Sequence, residues 1–280
     1  MTAPRDVNRE PARGMLPGGW PSMLPEQFEM QPLQQQQGGT GTLNGYGLLR
    51  VNQSTRGWLQ ELLGCEATSE FSIFGGSGGQ NPVMHATEEA PCWTRCLLPQ
   101  LHAFTLTVRD VAAAARPSPV VAKYVRPCRC QLAPWKCCCF QEMQHIDGNG
   151  NPLGATVEQC SVCVPTLNIT DERGQLEYVI SQPTCCCGTM VDVFAEGGLL
   201  RMKVPFYLFR SGSPHVADQE VGKLVREYTN PMTESLTDVS NYTVKFPDNC
   251  SAQTKARILG SVFLINQAGV KPALHPGGHH

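Results

Sequence analysis

The sequence lacks the short motifs that mark several large classes of enzyme. It contains neither the H-E-x-x-H pattern of zinc hydrolases nor the G-x-x-x-x-G-K-[ST] loop of nucleotide-binding proteins. Its seven histidines are scattered along the chain, without the spacing of metal ligands. We therefore expect a protein that is not an enzyme, with no catalytic residues to assign.

The chain also has little surplus charge and no long apolar run. Its formal net charge of −2 does not provide the basic surface that nucleic acid attracts, so no nucleic-acid partner is expected. A helix that crosses a bilayer needs about 20 apolar residues, and no run here approaches that length. Residues 1–13 are polar and proline-rich, so we expect no signal peptide and a reducing, cytosolic environment.

The most apolar stretch is Ala256–Ile265, which is interrupted only by Arg257, Gly260 and Ser261. Ser251 precedes it as a helix-starting residue, and Gly269 and Pro272 follow it as stop signals. A helix that is apolar on every side must be buried. The residues predicted to be buried in this helix are Ala256, Ile258, Leu259, Val262, Phe263 and Ile265.

Upstream of this helix, about a dozen short segments alternate apolar and polar residues with the period of a β-strand. Examples are Phe104–Val108 and Tyr242–Phe246, and glycine-rich or Asp-Gly turn signals separate such segments. Evenly spaced short strands are typical of a sandwich or a barrel, and a barrel also has an interior that could take the helix. The sequence therefore predicts a mainly β fold, a closed antiparallel barrel of about twelve strands around a buried C-terminal helix.

Composition divides the chain into three parts. Residues 1–45 are rich in Pro, Gln and Gly and poor in aliphatic residues, so we expect a disordered arm with possible protein partners. Residues 46–267 contain the strands and the helix, and residues 268–280 form a polar tail.

Several segments resemble phospholipid scramblases. They are Glu89–Cys96, the run from Arg126–Cys130 to Cys137–Glu142, Val221–Lys223, Phe246-Pro247 and the closing helix, in the same order and with similar spacing. The resemblance covers residues 46–266 and implies a tubby-like barrel. It further implies movement of phospholipids between leaflets, independent of ATP and activated by calcium. The alternative is a membrane-tethered adaptor of the tubby-like class that binds a lipid or a protein and transports nothing.

The resemblance also assigns a role to one cluster of cysteines. Cys128, Cys130, Cys137, Cys138 and Cys139 match the palmitoylation segment of the family, which implies covalent palmitate and attachment to the cytoplasmic face of a membrane, expected to be the plasma membrane. Two alternatives remain open. In the first alternative, these thiols are buried on strands. In the second, Cys160 and Cys163 bind a structural zinc together with a cysteine triplet. Zinc is the less expected of these, because no second C-x-x-C is present.

The family's acidic loop maps onto Asp238, Ser240, Asp248 and Asn249, which the resemblance implies as a calcium site. Calcium takes six to eight oxygen ligands, several of them charged, and this set offers only two carboxylates. The competing interpretation is that Tyr242, Val244 and Phe246 form a buried strand through the middle of the segment.

Overall fold

Twelve antiparallel strands follow one another around a closed ring in the computed structural model. It describes residues 39–54, 69–90, 103–113, 117–128, 140–160, 164, 166–182, 202–216, 218–228 and 241–267. The strands are β1 (Leu48–Gln53), β2 (Glu70–Gly75), β3 (Met84–Glu89), β4 (Phe104–Asp110), β5 (Val120–Arg126), β6 (Glu142–Asp147), β7 (Pro152–Glu158), β8 (Thr166–Thr170), β9 (Leu176–Ser181), β10 (Met202–Arg210), β11 (Gly222–Tyr228) and β12 (Asn241–Lys245). Each strand pairs with the next, and β1 closes the ring against β12.

The alternating pattern of the sequence is repeated in the burial of the strands. In β12, Tyr242 and Val244 are buried, whereas Thr243 and Lys245 face outward. In β4, Phe104, Leu106 and Val108 point into the barrel. The predicted closed barrel is confirmed, and it forms because period-two apolar residues can all face a single interior.

The helix α1 (Ala252–Gln267) fills that interior. It begins four residues before the predicted start, Ala256, and its residues from Thr254 to Ile265 are all buried. Each of the six residues predicted to be buried in the helix is at most 1% exposed. The prediction of a buried helix is therefore confirmed, although its first turn is polar.

The predicted turns connect neighbouring strands as hairpins. Asp147 follows β6, and its Oδ1 accepts hydrogen bonds from the backbone N–H groups of Asn149 and Asn151, both at 2.8 Å. The segment Gly75–Gly79 has the letters of the G-x-S-x-G pattern of serine hydrolases. That pattern acts in a turn from a strand to a helix, whereas here it joins β2 to β3, so it is not a nucleophile elbow.

The folded region begins earlier than the predicted boundary at residue 45. Thr40–Gly45 form a 3-10 helix, η1, and Leu43 within it is completely buried. Thr42 donates a 2.9 Å hydrogen bond to Asp110 Oδ2, which ties η1 to the end of β4. The assignment of these residues to a disordered arm is therefore wrong. Residues 1–38 and the predicted tail 268–280 lie outside the described residues.

The barrel has two distinct ends. We call the end at which the odd-numbered strands start the lower end, and the end at which they finish the upper end. The helix starts at the lower end, where Lys255 contacts the segment before β1, and it finishes at the upper end, where Asn266 Nδ2 lies 3.4 Å from Gln53 Oε1 of β1.

Candidate functional site

The first turn of α1 is fixed by a capping hydroxyl. Ser251 Oγ accepts a 3.1 Å hydrogen bond from the backbone N–H of Thr254, which satisfies one of the N–H groups that the first turn leaves open. Thr254 Oγ1 in turn donates to Glu177 Oε1 of β9 at 2.8 Å. The predicted helix-starting role of Ser251 is confirmed, and the cap connects the helix to the barrel wall.

Lys255 joins the helix to the N-terminal segment. The residue is 7% exposed, and its ammonium group donates to the carbonyl oxygens of Leu43, Asn44 and Tyr46 at 3.2, 3.1 and 2.7 Å. A buried ammonium is costly unless its donors are satisfied, and these three carbonyls use all three. The lower end of the barrel is thereby closed by η1 and the helix together.

Arg257 joins the same helix to the opposite side of the lower end. Its guanidinium donates to Glu177 Oε2 from Nε at 2.9 Å and lies 2.8 Å from it at Nη2. Nη1 donates to the carbonyl oxygen of Leu153 at 2.9 Å and is 3.6 Å from Glu172 Oε2. The side chain of Glu177 is only 28% exposed, so this ion pair is partly shielded from water.

The middle of the helix passes very close to the barrel wall at Gly260. A Cβ atom at this position would lie 2.6 Å from His145 Nε2 and 2.7 Å from Tyr124 Cε1, so only glycine fits without displacement of a ring. Tyr124 donates a 2.9 Å hydrogen bond to the carbonyl oxygen of Ala256, and its ring meets that of His145 edge-on. Burial raises the pKa of Tyr124, which keeps this donor protonated.

His145 was among the scattered histidines of the sequence and was not predicted as a site residue. It is completely buried, and burial, followed by the charge of Arg257, lowers its pKa to about 3. Its Nε2 lies 3.3 Å from Thr156 Oγ1, which lies 2.8 Å from Ser261 Oγ of the helix. The sequence signal that could have identified it is its position two residues after the apolar Met143, which places both side chains on the inward side of β6.

The predicted lipidation residues fall largely outside the described residues. Cys128 is described, is exposed and directly follows β5, whereas Cys130 and Cys137–Cys139 lie outside the described range. None of the 14 cysteines falls within a described strand or the helix, and Cys160, which follows β7, is also exposed. The alternative of thiols packed on these strands therefore has no support at Cys128 or Cys160. Cys163 and Cys185–Cys187 also lie outside the described residues.

The predicted calcium ligands are divided by β12. Asp248 and Asn249 are exposed and lie in a turn after the strand, where Asn249 adopts a left-handed φ of 57°. Asp238 and Ser240 belong to the segment before the strand and lie outside the described residues. The five residues of β12 rise by about 17 Å and lie between the start of the strand at Asn241 and the turn that contains Asp248 and Asn249.

In the part of the chain that the structure describes, no group of three or more His, Cys, Asp or Glu side chains is arranged to hold a metal ion. Likewise, none of the described helices is both long enough and apolar enough to cross a membrane.

The scramblase family matches residues 28–195 and 211–268, which include eleven of the twelve strands and the helix. The chain belongs to the scramblase family. Its relatives include phospholipid scramblase 2 of Bos taurus, which is 28% identical over 208 residues, 74% of this chain and 63% of the relative. Phospholipid scramblase 1 of Homo sapiens is 27% identical over 210 residues, 74% of this chain and 58% of the relative.

The chain thus spans about six-tenths of the length of these scramblases. No solved structure matches it. Between the two matched segments, residues 196–210 are left unmatched by the scramblase family; they contain β10, which nevertheless pairs with β9 and β11 and completes the ring.

Proposed function

We propose that this protein moves phospholipids between the two leaflets of a membrane without ATP hydrolysis, and that it is not an enzyme. The observation that carries the proposal is the family match, which extends over both the barrel wall and the helix inside it. Relatives that share most of this chain are named phospholipid scramblases.

The contacts of α1 favour a mechanism in which the helix stays inside the barrel. At 1.5 Å per residue its 16 residues are about 24 Å long, shorter than the roughly 30 Å hydrocarbon core. Transfer into lipid would also break the contacts of Lys255 and Arg257 and leave two cations to be desolvated. We therefore propose that an intact barrel perturbs the bilayer from its surface.

We propose that thioester-linked palmitate holds the barrel at the cytoplasmic face of the membrane. The thiolate of Cys128 and the predicted Cys130 and Cys137–Cys139 would attack a long-chain acyl-CoA, and the CoA thiol would leave. Replacement of Cys128, Cys130 and Cys137–Cys139 by alanine should remove hydroxylamine-sensitive acylation, and replacement of Cys137–Cys139 alone should reduce it. Cys250→Ala serves as the matched control, because Cys250 lies at the lower end of the barrel, just before the helix.

We propose calcium as a regulator that acts through the segment before β12, with Asp238 as the expected ligand. Asp248 and Asn249 follow the strand, in a turn that offers a single carboxylate, so we propose them as secondary to Asp238. Asp238→Ala should weaken calcium binding measured by calorimetry, whereas Asp248→Ala should weaken it less. If only Asp248→Ala weakened calcium binding, the site would instead lie in the turn after β12.

The second candidate function is that of a membrane-tethered adaptor. It is favoured by one specific observation: the helix fills the barrel, and its side chains from Thr254 to Ile265 are buried against the wall. Such a plugged barrel provides no polar route for a headgroup. Its outer surface and N-terminal region would then bind a lipid or a protein.

Leaflet exchange of a fluorescent phospholipid in liposomes separates these two functions. The purified protein should be compared with empty liposomes, with calcium and with chelator, alongside Arg257→Met and the control Lys123→Met. Lys123 is exposed on the outer face of β5, far from the helix. We expect exchange that requires an intact barrel, so Arg257→Met should reduce it and Lys123→Met should not. Folded, membrane-bound protein that produces no exchange would favour the adaptor.

A further inference from the structure

The hydroxyl groups around His145 determine which ring nitrogen carries its proton. The hydroxyl of Ser261 lies 3.2 Å from the carbonyl oxygen of Arg257, which can accept its hydrogen. Either hydroxyl of the Thr156–Ser261 pair can donate over 2.8 Å, but only donation by Thr156 leaves no buried ring N–H of His145 without an acceptor. Thr156 Oγ1 then has only a lone pair to offer His145, so Nε2 carries the proton and donates over 3.3 Å. His145 is accordingly the neutral Nε2–H tautomer.

This assignment leaves Nδ1 as an acceptor without a partner. No hydrogen bond reaches that atom from the described residues, although the whole side chain is excluded from solvent. A proton that arrives from solvent has only one place to bind on this ring, the Nδ1 lone pair. The resulting imidazolium would be buried with no acceptor for its new N–H, which is an unfavourable state.

The groups that face His145 do not compensate for a positive charge. From β5 comes Tyr124, whose hydroxyl is used on the helix, and from β7 comes Thr156, which does not titrate in this range. From the helix comes Arg257, which is itself a cation. No carboxylate is among the groups recorded beside this ring in the described part of the chain. The ring also lies against Gly260, where the helix has no space to shift inward.

We propose that His145 makes the docking of α1 in the barrel sensitive to acid. A proton taken up on Nδ1 favours states in which the ring reaches water, and the contacts that separate first are those with Gly260 and Ser261. The middle of the helix is therefore an acid-labile contact, whereas Lys255 and Arg257 hold its first turns. This inference concerns the fold itself and holds whether or not the chain transports lipid.

Hydrogen exchange of the lipid-free protein at pH 7 and pH 5, corrected for intrinsic rates, tests the proposal. A histidine with a pKa of 6.5 when exposed and about 3 when docked should increase the opening equilibrium by about 25-fold over this range. We expect this increase in the amides of α1, at a lower free energy of opening than that of the amides of β4 and β5, which exchange only when the whole barrel unfolds. His145→Phe, which keeps a ring and cannot titrate, should reduce the increase to less than about threefold.

The matched control is His85→Gln. His85 lies on the outer face of β3, where its Nδ1 is 3.3 Å from Ser72 Oγ, and this variant should retain the acid response. Equal opening free energies for α1 and the strands at both pH values would overturn the proposal, because the helix would then open only when the whole barrel unfolds. An unchanged response in His145→Phe would also overturn it.

A second measurement needs no variant. The ring nitrogen shifts of ¹⁵N-labelled wild-type protein should identify His145 as the Nε2–H tautomer and show no protonation in the docked state at pH 5. A protonated ring in the docked state, or the Nδ1–H tautomer, would contradict the proposal.

Discussion

The close approach at Gly260 gives the sharpest test of how tightly the helix is packed. In Gly260→Ala, the added Cβ would lie 2.6 Å from His145 Nε2 and 2.7 Å from Tyr124 Cε1. Ordinary contact begins near 3.4 Å, so these two buried rings must move by 3.4 − 2.6 = 0.8 Å and 3.4 − 2.7 = 0.7 Å. Overpacking of this kind lowers the free energy of unfolding by about 1–3 kcal/mol. Because two rings must move here, we expect a loss in the upper half of that range.

The same substitution has a favourable contribution that must be subtracted. Alanine in a helix interior is better than glycine by about 1 kcal/mol, so we expect a net loss of about 1–2 kcal/mol in the free energy of unfolding. Urea denaturation measures this loss. The control is the difference in stability between Gln253→Ala and Gln253→Gly. Gln253 is exposed on α1, so this difference reports helix propensity without a ring contact.

A double-mutant cycle identifies the clashing partner. In the His145→Ala background the added methyl group should cost at least about 1 kcal/mol less, because one of the two rings is gone. A Gly260→Ala variant that is more stable than wild type would refute the reasoning, since propensity would then be the only effect. Additive single and double variants would show that His145 is not the group that limits the approach.

Three further changes act on the charged and titratable groups of the interior. Arg257→Met should lower the free energy of unfolding, measured by urea denaturation, by about 2–3 kcal/mol. Glu177 loses its partner in this variant but keeps some access to water, which limits the loss. A loss under about 0.5 kcal/mol would count against a shielded pair. Lys255→Met should accelerate proteolysis and amide exchange in residues 39–47 more than in β4 to β8, because it removes three hydrogen bonds to carbonyl groups of that segment. Uniform acceleration would indicate that these hydrogen bonds do not stabilise the segment locally. The free energy of unfolding should fall as the pH drops from 6.5 toward 3, and the loss should reach about 2 kcal/mol at pH 5. The reason is that the fold favours neutral His145, so the unfolded chain takes up the proton first. His145→Phe should lack this component of the pH dependence.

The barrel and its helix were predictable because their signals are local. Residues such as Tyr242 and Val244 alternate with outward residues in adjacent positions, and the six predicted positions between Ala256 and Ile265 are all apolar. Neither signal depends on knowing what the segment contacts. The period of apolar residues therefore gave both the fold class and the buried element.

The polar interior was not predictable from the same pattern. Lys255 and Arg257 interrupt or precede the apolar stretch and carry no local sign of burial, yet both are buried, with partners from distant parts of the chain. Leu43 is a single apolar residue in a polar segment, so nothing local distinguishes it from a loop residue. The role of His145 depends on hydroxyls from β7 and α1, which only the fold brings together.

Ring closure has a consequence for how this chain is made. β1 must pair with β12, and Leu43 must meet Lys255, 212 residues later, before either end of the folded region is complete. Synthesis at about 5–20 residues per second separates these partners by roughly 10–40 s. During that interval β1 and η1 have no final partner, and the growing sheet has an open edge that can pair with other chains. A nascent chain of this architecture should therefore depend on chaperones until its last strand and helix are available, and a stop codon before β12 would leave an unclosed sheet rather than a smaller barrel.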